Sequence, residues 1–130
     1  MTTVFDVTQA AERLWPLTGA EDWDRPGLVA GSFQSPVTKV LLSVDVTLDL
    51  IDDAIAGGFD LILSHHPFLL RGVTSVAEDT AKGLVLSKAI RSAIALYSAH
   101  TNADITETGV SATLASTMGL VLEGALSPLG

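Results

Sequence analysis

Short apolar runs alternate with amphipathic segments along most of the chain, and this alternation predicts the secondary structure. Three nearly continuous aliphatic runs are typical of β-strands covered on both faces, namely residues 39–44, 59–64 and 93–98. A helical repeat of apolar positions predicts helices over residues 48–56, 79–91 and 109–118, the second of them opened by Asp79 or Thr80. Strands and helices in this order indicate parallel strands joined by right-handed crossovers. The predicted fold class is therefore α/β, a mostly parallel sheet flanked by helices around a βαβαβ core.

The two ends of the chain add further elements to this core. An apolar stripe from Asp6 to about Leu17 predicts a first helix with Asp6 as its N-cap. The polar loop that follows contains Trp23 and Asp24, which we expect to pack against the sheet edge. It leads into a short apolar piece, residues 28–30. Near the other end, residues 120–122 are expected to start a fourth strand.

Size and composition indicate one globular unit. The 130 residues are enough for a single α/β domain, and 48% hydrophobic with only 5% aromatic residues favours helices packed closely on a sheet. No apolar run approaches the roughly 18 residues that a membrane span needs. The first residues lack the pattern of a secretory signal. Together with the absence of cysteine, which excludes disulfides and thiolate metal ligands, this predicts a cytoplasmic location.

The charge balance bears on the class of partner. Seven basic residues against fifteen acidic ones give a formal net charge of −8. The basic residues form no stripe, so phosphate backbones would be repelled and direct nucleic-acid binding is disfavoured. An acidic protein needs a cation to approach a phosphorylated substrate, which favours a metal site.

All three histidines lie in two short segments that directly follow predicted strands. These segments are Ser64-His65-His66-Pro67 and residues 100–104, His-Thr-Asn-Ala-Asp. In open α/β sheets, ligands bind beyond the carboxyl ends of the strands. The predicted topology brings these segments to one edge, together with Asp45 after the first core strand. Imidazoles and carboxylates gathered at such an edge indicate a metal site.

His65 and His66 are adjacent in the chain, and this limits the kinds of metal site that they can form. Adjacent residues in an extended chain point in opposite directions, so His65 and His66 suit two ions, or one ion and a substrate, better than a single ion. The alternative is that one of them is structural and the other exposed. Asp104 beside imidazoles suits Zn, Mn, Fe or Co, although Asp104 is equally a common turn residue.

Two further residues have open roles at this stage. His100 suits a metal ligand, a group that orients a ligand, or a substrate contact. Asp45 is expected mainly to form the turn into the next helix, with orientation of a ligand as the less favoured role.

The two histidine segments, in this order and on these strands, resemble the GTP cyclohydrolase I type 2 homologues, also called the NIF-three-like dinuclear-metal hexameric proteins. The resemblance covers essentially the whole chain and is most specific in Asp60-Leu61-Ile62-Leu63-Ser64-His65-His66-Pro67 and in residues 100–104. It implies that His65, His66 and Asp104 are metal ligands, with the two histidines on different ions.

The resemblance also implies a site that is only half contained in this chain. Members of that family complete the site with a His-x-x-x-Glu pair near the C-terminus, whereas no histidine follows His100 here. The expectation is that residues 1–130 form the N-terminal half of a longer protein and bind metal weakly alone.

The function implied is a metal-dependent hydrolase with a two-metal centre, acting on a nucleotide or other phosphorylated small molecule and assembled as a homo-oligomer, a hexamer by resemblance. The alternative is a non-catalytic metal-binding regulatory or partner-binding protein that assembles as a ring.

Overall fold

Four short strands form the central sheet of the structure, a computed structural model that describes residues 1–124. In chain order the strands are β1 (Gly27–Ala30), β2 (Val40–Ser43), β3 (Leu61–Ser64) and β4 (Ala95–Ser98). The helices are α1 (Val4–Leu14), α2 (Leu48–Gly57), α3 (Ala81–Arg91), α4 (Thr101–Asp104) and α5 (Val110–Thr117), with a 3-10 turn at Leu17–Gly19.

The sheet is mixed, with strand order β1-β4-β3-β2. Strands β2, β3 and β4 are parallel and in register, so that Ser43, Ser64 and Ser98 lie side by side at their carboxyl ends. Strand β1 pairs antiparallel with β4, with an irregularity between Leu28 and Ala30. The predicted α/β class and the mostly parallel sheet are confirmed, and the short apolar piece at residues 28–30 becomes an antiparallel edge strand.

Helices cover both faces of the sheet because successive strand residues point to opposite sides. On one face, α2 and α3 enclose the larger core with the inward residues of β3 and β4; its buried members are Ile51, Ala54, Ile62, Val85, Leu86, Ala89, Ile94 and Leu96. On the other face, α1 packs through Val4 and Ala11 against residues such as Leu61 and Tyr97. This packing fixes the strands whose ends carry the histidines.

The helix starts show how local chemistry sets the boundaries. Helix α1 begins one turn earlier than the sequence predicts, because Thr3 and not Asp6 is its N-cap. The Asp6 carboxylate instead reaches back to the Thr3 backbone N–H at 2.8 Å, which forms a capping box. For α3, Thr80 and not Asp79 is the cap, through its hydroxyl oxygen and the Gly83 N–H.

The expected strand at residues 120–122 is not present in the structure. These residues lie outside the sheet, and Leu120, Val121 and Leu122 are 59%, 88% and 61% exposed. The preceding helix α5 has no buried residue, so it does not return the chain to the sheet. No helix within residues 1–124 is long and apolar enough to cross a bilayer.

Helix α2 starts at the same sheet edge as the histidines and offers a test of its cap. The Thr47 hydroxyl oxygen accepts a hydrogen bond from the Leu50 N–H at 3.2 Å. Thr47→Ala leaves that N–H without its partner and is expected to lower the free energy of unfolding by about 1 kcal/mol, measured by urea denaturation. Thr74→Ala, in the exposed loop before α3, is the control and should change stability little. Equal stability of both variants and the unchanged chain would contradict the capping role.

Candidate metal centre

The site is built where the parallel strands end. Asp45 follows β2, His65 and His66 follow β3, and His100 follows β4. The N–H groups of His65 and His66 donate to the carbonyl oxygens of Ser43 and Val44, at 3.0 and 2.9 Å. These bonds extend the β2–β3 ladder and hold both histidines at the sheet edge.

The three imidazoles form one cluster. Their ring centroids are 5.1 Å apart for His65 and His66, 5.1 Å for His65 and His100, and 5.6 Å for His66 and His100. One ring nitrogen from each residue lies within 4.8 Å of the others. The tertiary structure therefore brings His100 to His65 and His66, which lie 35 and 34 residues earlier in the chain.

Each histidine has a separate oxygen acceptor at Nδ1. His65 Nδ1 lies 3.0 Å from the Ala99 carbonyl oxygen, His66 Nδ1 lies 2.8 Å from Asp45 Oδ1, and His100 Nδ1 lies 2.9 Å from an oxygen of the Asp24 carboxylate. An acceptor at Nδ1 fixes the tautomer with the proton there and leaves the Nε2 lone pair for another partner.

Asp104 reaches the cluster from α4. Its Oδ1 lies 3.7 Å from His65 Nε2, and its side chain is partly exposed. The turn that the sequence also allowed is present, since residues 101–104 form a single helical turn. Its buried anchor is Asn102, which accepts from the His100 N–H and donates to the Trp15 carbonyl oxygen. Asn102 shapes the turn, and Asp104 is left facing His65.

Asp45 lies in the bend that leads from β2 to α2, as predicted, and its side chain also contacts a histidine. Thr47 caps α2, whereas the Asp45 carboxylate contacts His66. The geometry therefore also supports the less favoured interpretation, orientation of a histidine. Asp45 and His66 are 21 residues apart in the chain, so no local sequence pattern could predict their contact.

Asp24 is the residue whose role the sequence missed. It is only 3% exposed, and it does not simply pack against the sheet edge. One carboxylate oxygen accepts from the Arg25 N–H and faces His100 Nδ1, and the other accepts from the N–H and the hydroxyl of Thr101. Burial raises the pKa of Asp24, but these hydrogen bonds outweigh it and lower the pKa to about 2.

Trp23, the neighbour of Asp24, is 56% exposed. Its ring meets the His100 ring edge to face, with centroids 6.0 Å apart. Trp23 thus packs against the histidine cluster at the sheet edge.

The donor set fits a transition-metal or zinc ion. Imidazole nitrogens with a carboxylate oxygen and no thiolate are ligands that Zn, Mn, Fe and Co accept. The oxygen acceptors at all three Nδ1 atoms supply the supporting contacts that metal-binding histidines have in proteins.

The chain is similar to known proteins along most of its length. It matches the profile of Duf34/NIF3 (NGG1p interacting factor 3) over residues 2–128. The chain belongs to the DUF34/NIF3 family. It is 42% identical over 128 residues to a GTP cyclohydrolase 1 type 2 homolog of Streptomyces coelicolor, an alignment that covers 98% of this chain and 45% of the relative.

Solved structures of DUF34/NIF3-like proteins share the fold. A Bacillus cereus protein related to NIF3 matches 100% of this chain and 36% of its own, with a TM-score of 0.94 and 33% identity. Reduced HcgD from Methanocaldococcus jannaschii matches 92% of this chain and 48% of its own, with a TM-score of 0.85 and 27% identity. The chain spans less than half the length of these relatives.

Proposed function

We propose that this DUF34/NIF3 chain binds divalent metal and carries half of a dinuclear site, with His65, His66 and Asp104 as ligands. The observation that carries the proposal is the oxygen acceptor at Nδ1 of both ligand histidines, which leaves both Nε2 atoms available at the sheet edge. The 3.7 Å separation between His65 Nε2 and Asp104 Oδ1 supports a shared ion for this pair.

The contacts of the two adjacent histidines support their division between two ions. Strand β3 lies between β4 and β2 in the sheet. His65 is held from the β4 side by the Ala99 carbonyl oxygen, and His66 from the β2 side by the Asp45 carboxylate. Two rings held from opposite sides are suited to two ions about 3.5–4 Å apart, as in known two-metal sites.

The reaction we propose is metal-dependent hydrolysis of a nucleotide or another phosphorylated small molecule. When bound, a pair of divalent ions supplies a hydroxide nucleophile at neutral pH and neutralises charge on the reacting oxygens. The chain itself has a net charge of −8, so an anionic substrate approaches only where cations offset that charge. The name of the Streptomyces relative, which refers to GTP, supports a nucleotide as the first substrate to test.

The remaining ligands are proposed to come from the part of the family that this chain does not match. Residues 1–130 are then the N-terminal half of a longer protein, as the 45% coverage of the Streptomyces relative supports. We further propose that the complete protein is a cytoplasmic homo-oligomer, a hexamer by its resemblance to the family.

Metal uptake tests the ligand assignment. In equilibrium dialysis against an excess of Zn²⁺, Mn²⁺ or Co²⁺, the unchanged chain should take up metal, and His66→Ala should lose a large part of this uptake. His66 is exposed, so this variant is expected to keep its fold. Asp53→Asn, an exposed carboxylate on α2, is the matched control and should bind like the unchanged chain. Uptake below about a tenth of an equivalent by the unchanged chain would overturn the proposal.

Turnover tests the hydrolase assignment separately. The complete metal-loaded protein, including the ligands proposed to lie outside residues 1–130, is incubated with GTP and a panel of other nucleotides, and products are separated by chromatography. Metal-dependent product that disappears in His66→Ala supports hydrolysis. Metal uptake without any product would overturn the hydrolase assignment and leave a metal-binding protein.

A further inference from the structure

A cavity of about 290 Å³ lies between the starts of α2 and α3, outside the histidine cluster. We propose that this cavity, the α2–α3 pocket, binds a small anion with a hydrocarbon body, for which phenyl phosphate is a simple model. The inference goes beyond the proposed metal site, because the pocket contains none of the proposed metal ligands and its occupant is tested without metal.

Three segments of the chain form the walls of the α2–α3 pocket. The turn into α2 contributes residues 46–48, the loop after β3 contributes Phe68, and the first turns of α3 contribute residues 81–82 and 84–85. Phe68 packs against the larger core, and Val85 is a buried member of that core. Because the core holds these walls in place, the pocket is present before a ligand binds, as is usual for small-molecule sites.

The lining of the pocket favours a hydrocarbon group. Apart from Thr47 and Lys82, the residues that line it are apolar. The Thr47 hydroxyl oxygen already accepts a hydrogen bond from the Leu50 N–H. The polar edges of a nucleobase would therefore lose water here without gaining protein partners, whereas a hydrocarbon group would gain from burial. An apolar cavity of about 150 Å³ holds benzene, so this pocket has room for one aromatic ring with a short substituent.

Lys82 supplies the charge of the pocket. Among the described residues that line it, Lys82 is the only one with a charged side chain. Its Nζ donates to the Phe68 carbonyl oxygen at 3.1 Å and lies 5.8 Å from the centroid of the Phe68 ring. An ammonium group has three donors, so two remain for an anion bound beside Phe68. The positive ends of the α2 and α3 dipoles add to this preference for an anion.

Amide chemical shifts of the ¹⁵N-labelled chain test both parts of the proposal. The folded chain is titrated without metal with phenyl phosphate, inorganic phosphate or benzyl alcohol. We expect phenyl phosphate to shift the amides of residues 46–48 and 81–85. We also expect it to bind at least about tenfold more tightly than the other two compounds, since each of them offers only one of the two interactions.

Three results of this titration would overturn the proposal. Inorganic phosphate that binds as tightly as phenyl phosphate would show that the apolar lining takes no part. Benzyl alcohol that binds as tightly would show that the anion takes no part. Absence of shifts at residues 46–48 and 81–85 would show that the pocket is not the binding site.

Lys82→Gln tests the role of the ammonium group, with Lys39→Gln as the matched control. Lys39 Nζ also donates to a backbone carbonyl oxygen, that of Gly57 at 2.7 Å, and lies 5.1 Å from the centroid of the Phe59 ring. It does so at the amino end of β2, away from the pocket. Phenyl phosphate should bind about tenfold more weakly to Lys82→Gln and equally well to Lys39→Gln. Equal losses in both variants would overturn the role of Lys82.

Ala81→Phe tests the cavity itself, because the larger side chain takes up part of its volume. Ala56→Phe is the matched control, since Ala56 is also an exposed helical alanine but does not line the pocket. Phenyl phosphate affinity should fall about tenfold or more in Ala81→Phe and stay unchanged in Ala56→Phe. Unchanged affinity in folded Ala81→Phe would overturn the proposal, and if this variant fails to fold, Lys82→Gln decides.

The outcome is separate from that of the proposed function. No titration contains metal, so a failure to bind phenyl phosphate overturns the pocket and leaves the metal-binding proposal standing. A chain that takes up no metal but binds phenyl phosphate as described overturns the metal-binding proposal and supports the pocket.

Discussion

Replacing Ile62 with alanine is expected to lower the free energy of unfolding by about 2–5 kcal/mol, measured by urea denaturation. Ile62 is fully buried in β3, where it packs into the core that α2 and α3 form with the sheet. The substitution removes buried methyl and methylene groups and leaves a cavity that the surrounding strands and helices fill only in part. The effect should be large because β3 is a central strand, with neighbours on both sides.

Leu42→Ala is the matched control for this prediction. Leu42 is an aliphatic residue of the same size on the neighbouring strand β2, but it is 72% exposed. Its replacement should change the free energy of unfolding by no more than about 0.5 kcal/mol. Similar losses for both variants would contradict the division of the sheet into a covered centre and an open β2 edge.

Acid is expected to remove about 2 kcal/mol of stability through Asp24 alone. The pKa of Asp24 is lowered from 3.8 to about 2 in the folded chain, because the hydrogen bonds from Thr101, His100 and Arg25 outweigh the effect of burial. Because the pKa of Asp24 is lower in the folded than in the unfolded chain, its carboxylate stabilises the fold at pH values above the unfolded pKa. That contribution is lost as the pH falls from about 4 toward 2, where the carboxylate becomes protonated in the folded chain as well.

The measurement is the difference in unfolding free energy between the unchanged chain and Asp24→Asn, at several pH values between 2 and 6 and without metal. The difference should be largest near pH 6 and shrink toward pH 2. Hydrogen bonds also lower the pKa of Asp60, so the subtraction is needed to isolate Asp24. Asp22→Asn should follow the unchanged chain throughout. A difference that does not depend on pH would contradict a hydrogen-bonded Asp24 carboxylate.

The core of the fold could be predicted because its signals are local. The aliphatic runs at residues 39–44, 59–64 and 93–98 contain β2, β3 and β4, and each is short, apolar and followed by a helical pattern. The topology rules for parallel strands then bring the strand ends to one edge. For this reason the sequence alone predicted that the histidine segments meet.

Elements with weaker local signals were less predictable. Residues 28–30 form an antiparallel edge strand by pairing with the free side of β4. Residues 120–122 are as apolar as residues 28–30 but form no strand. Apolar composition alone does not decide whether a segment becomes a strand, because the segment must also lie beside an unpaired edge of the sheet.

The sequence by itself determined the α/β class, the covered strands and the identity of the candidate donors, because apolar periodicity and residue type are properties of short segments. Only the tertiary structure decided which acceptor holds each histidine: Asp45 for His66 and Asp24 for His100, across 21 and 76 residues. A hydrogen bond depends on position and direction in space within a fraction of an ångström. Such positions are set by the packing of the whole domain, so Asp24 became recognisable only once the loop, β4 and α4 were seen together.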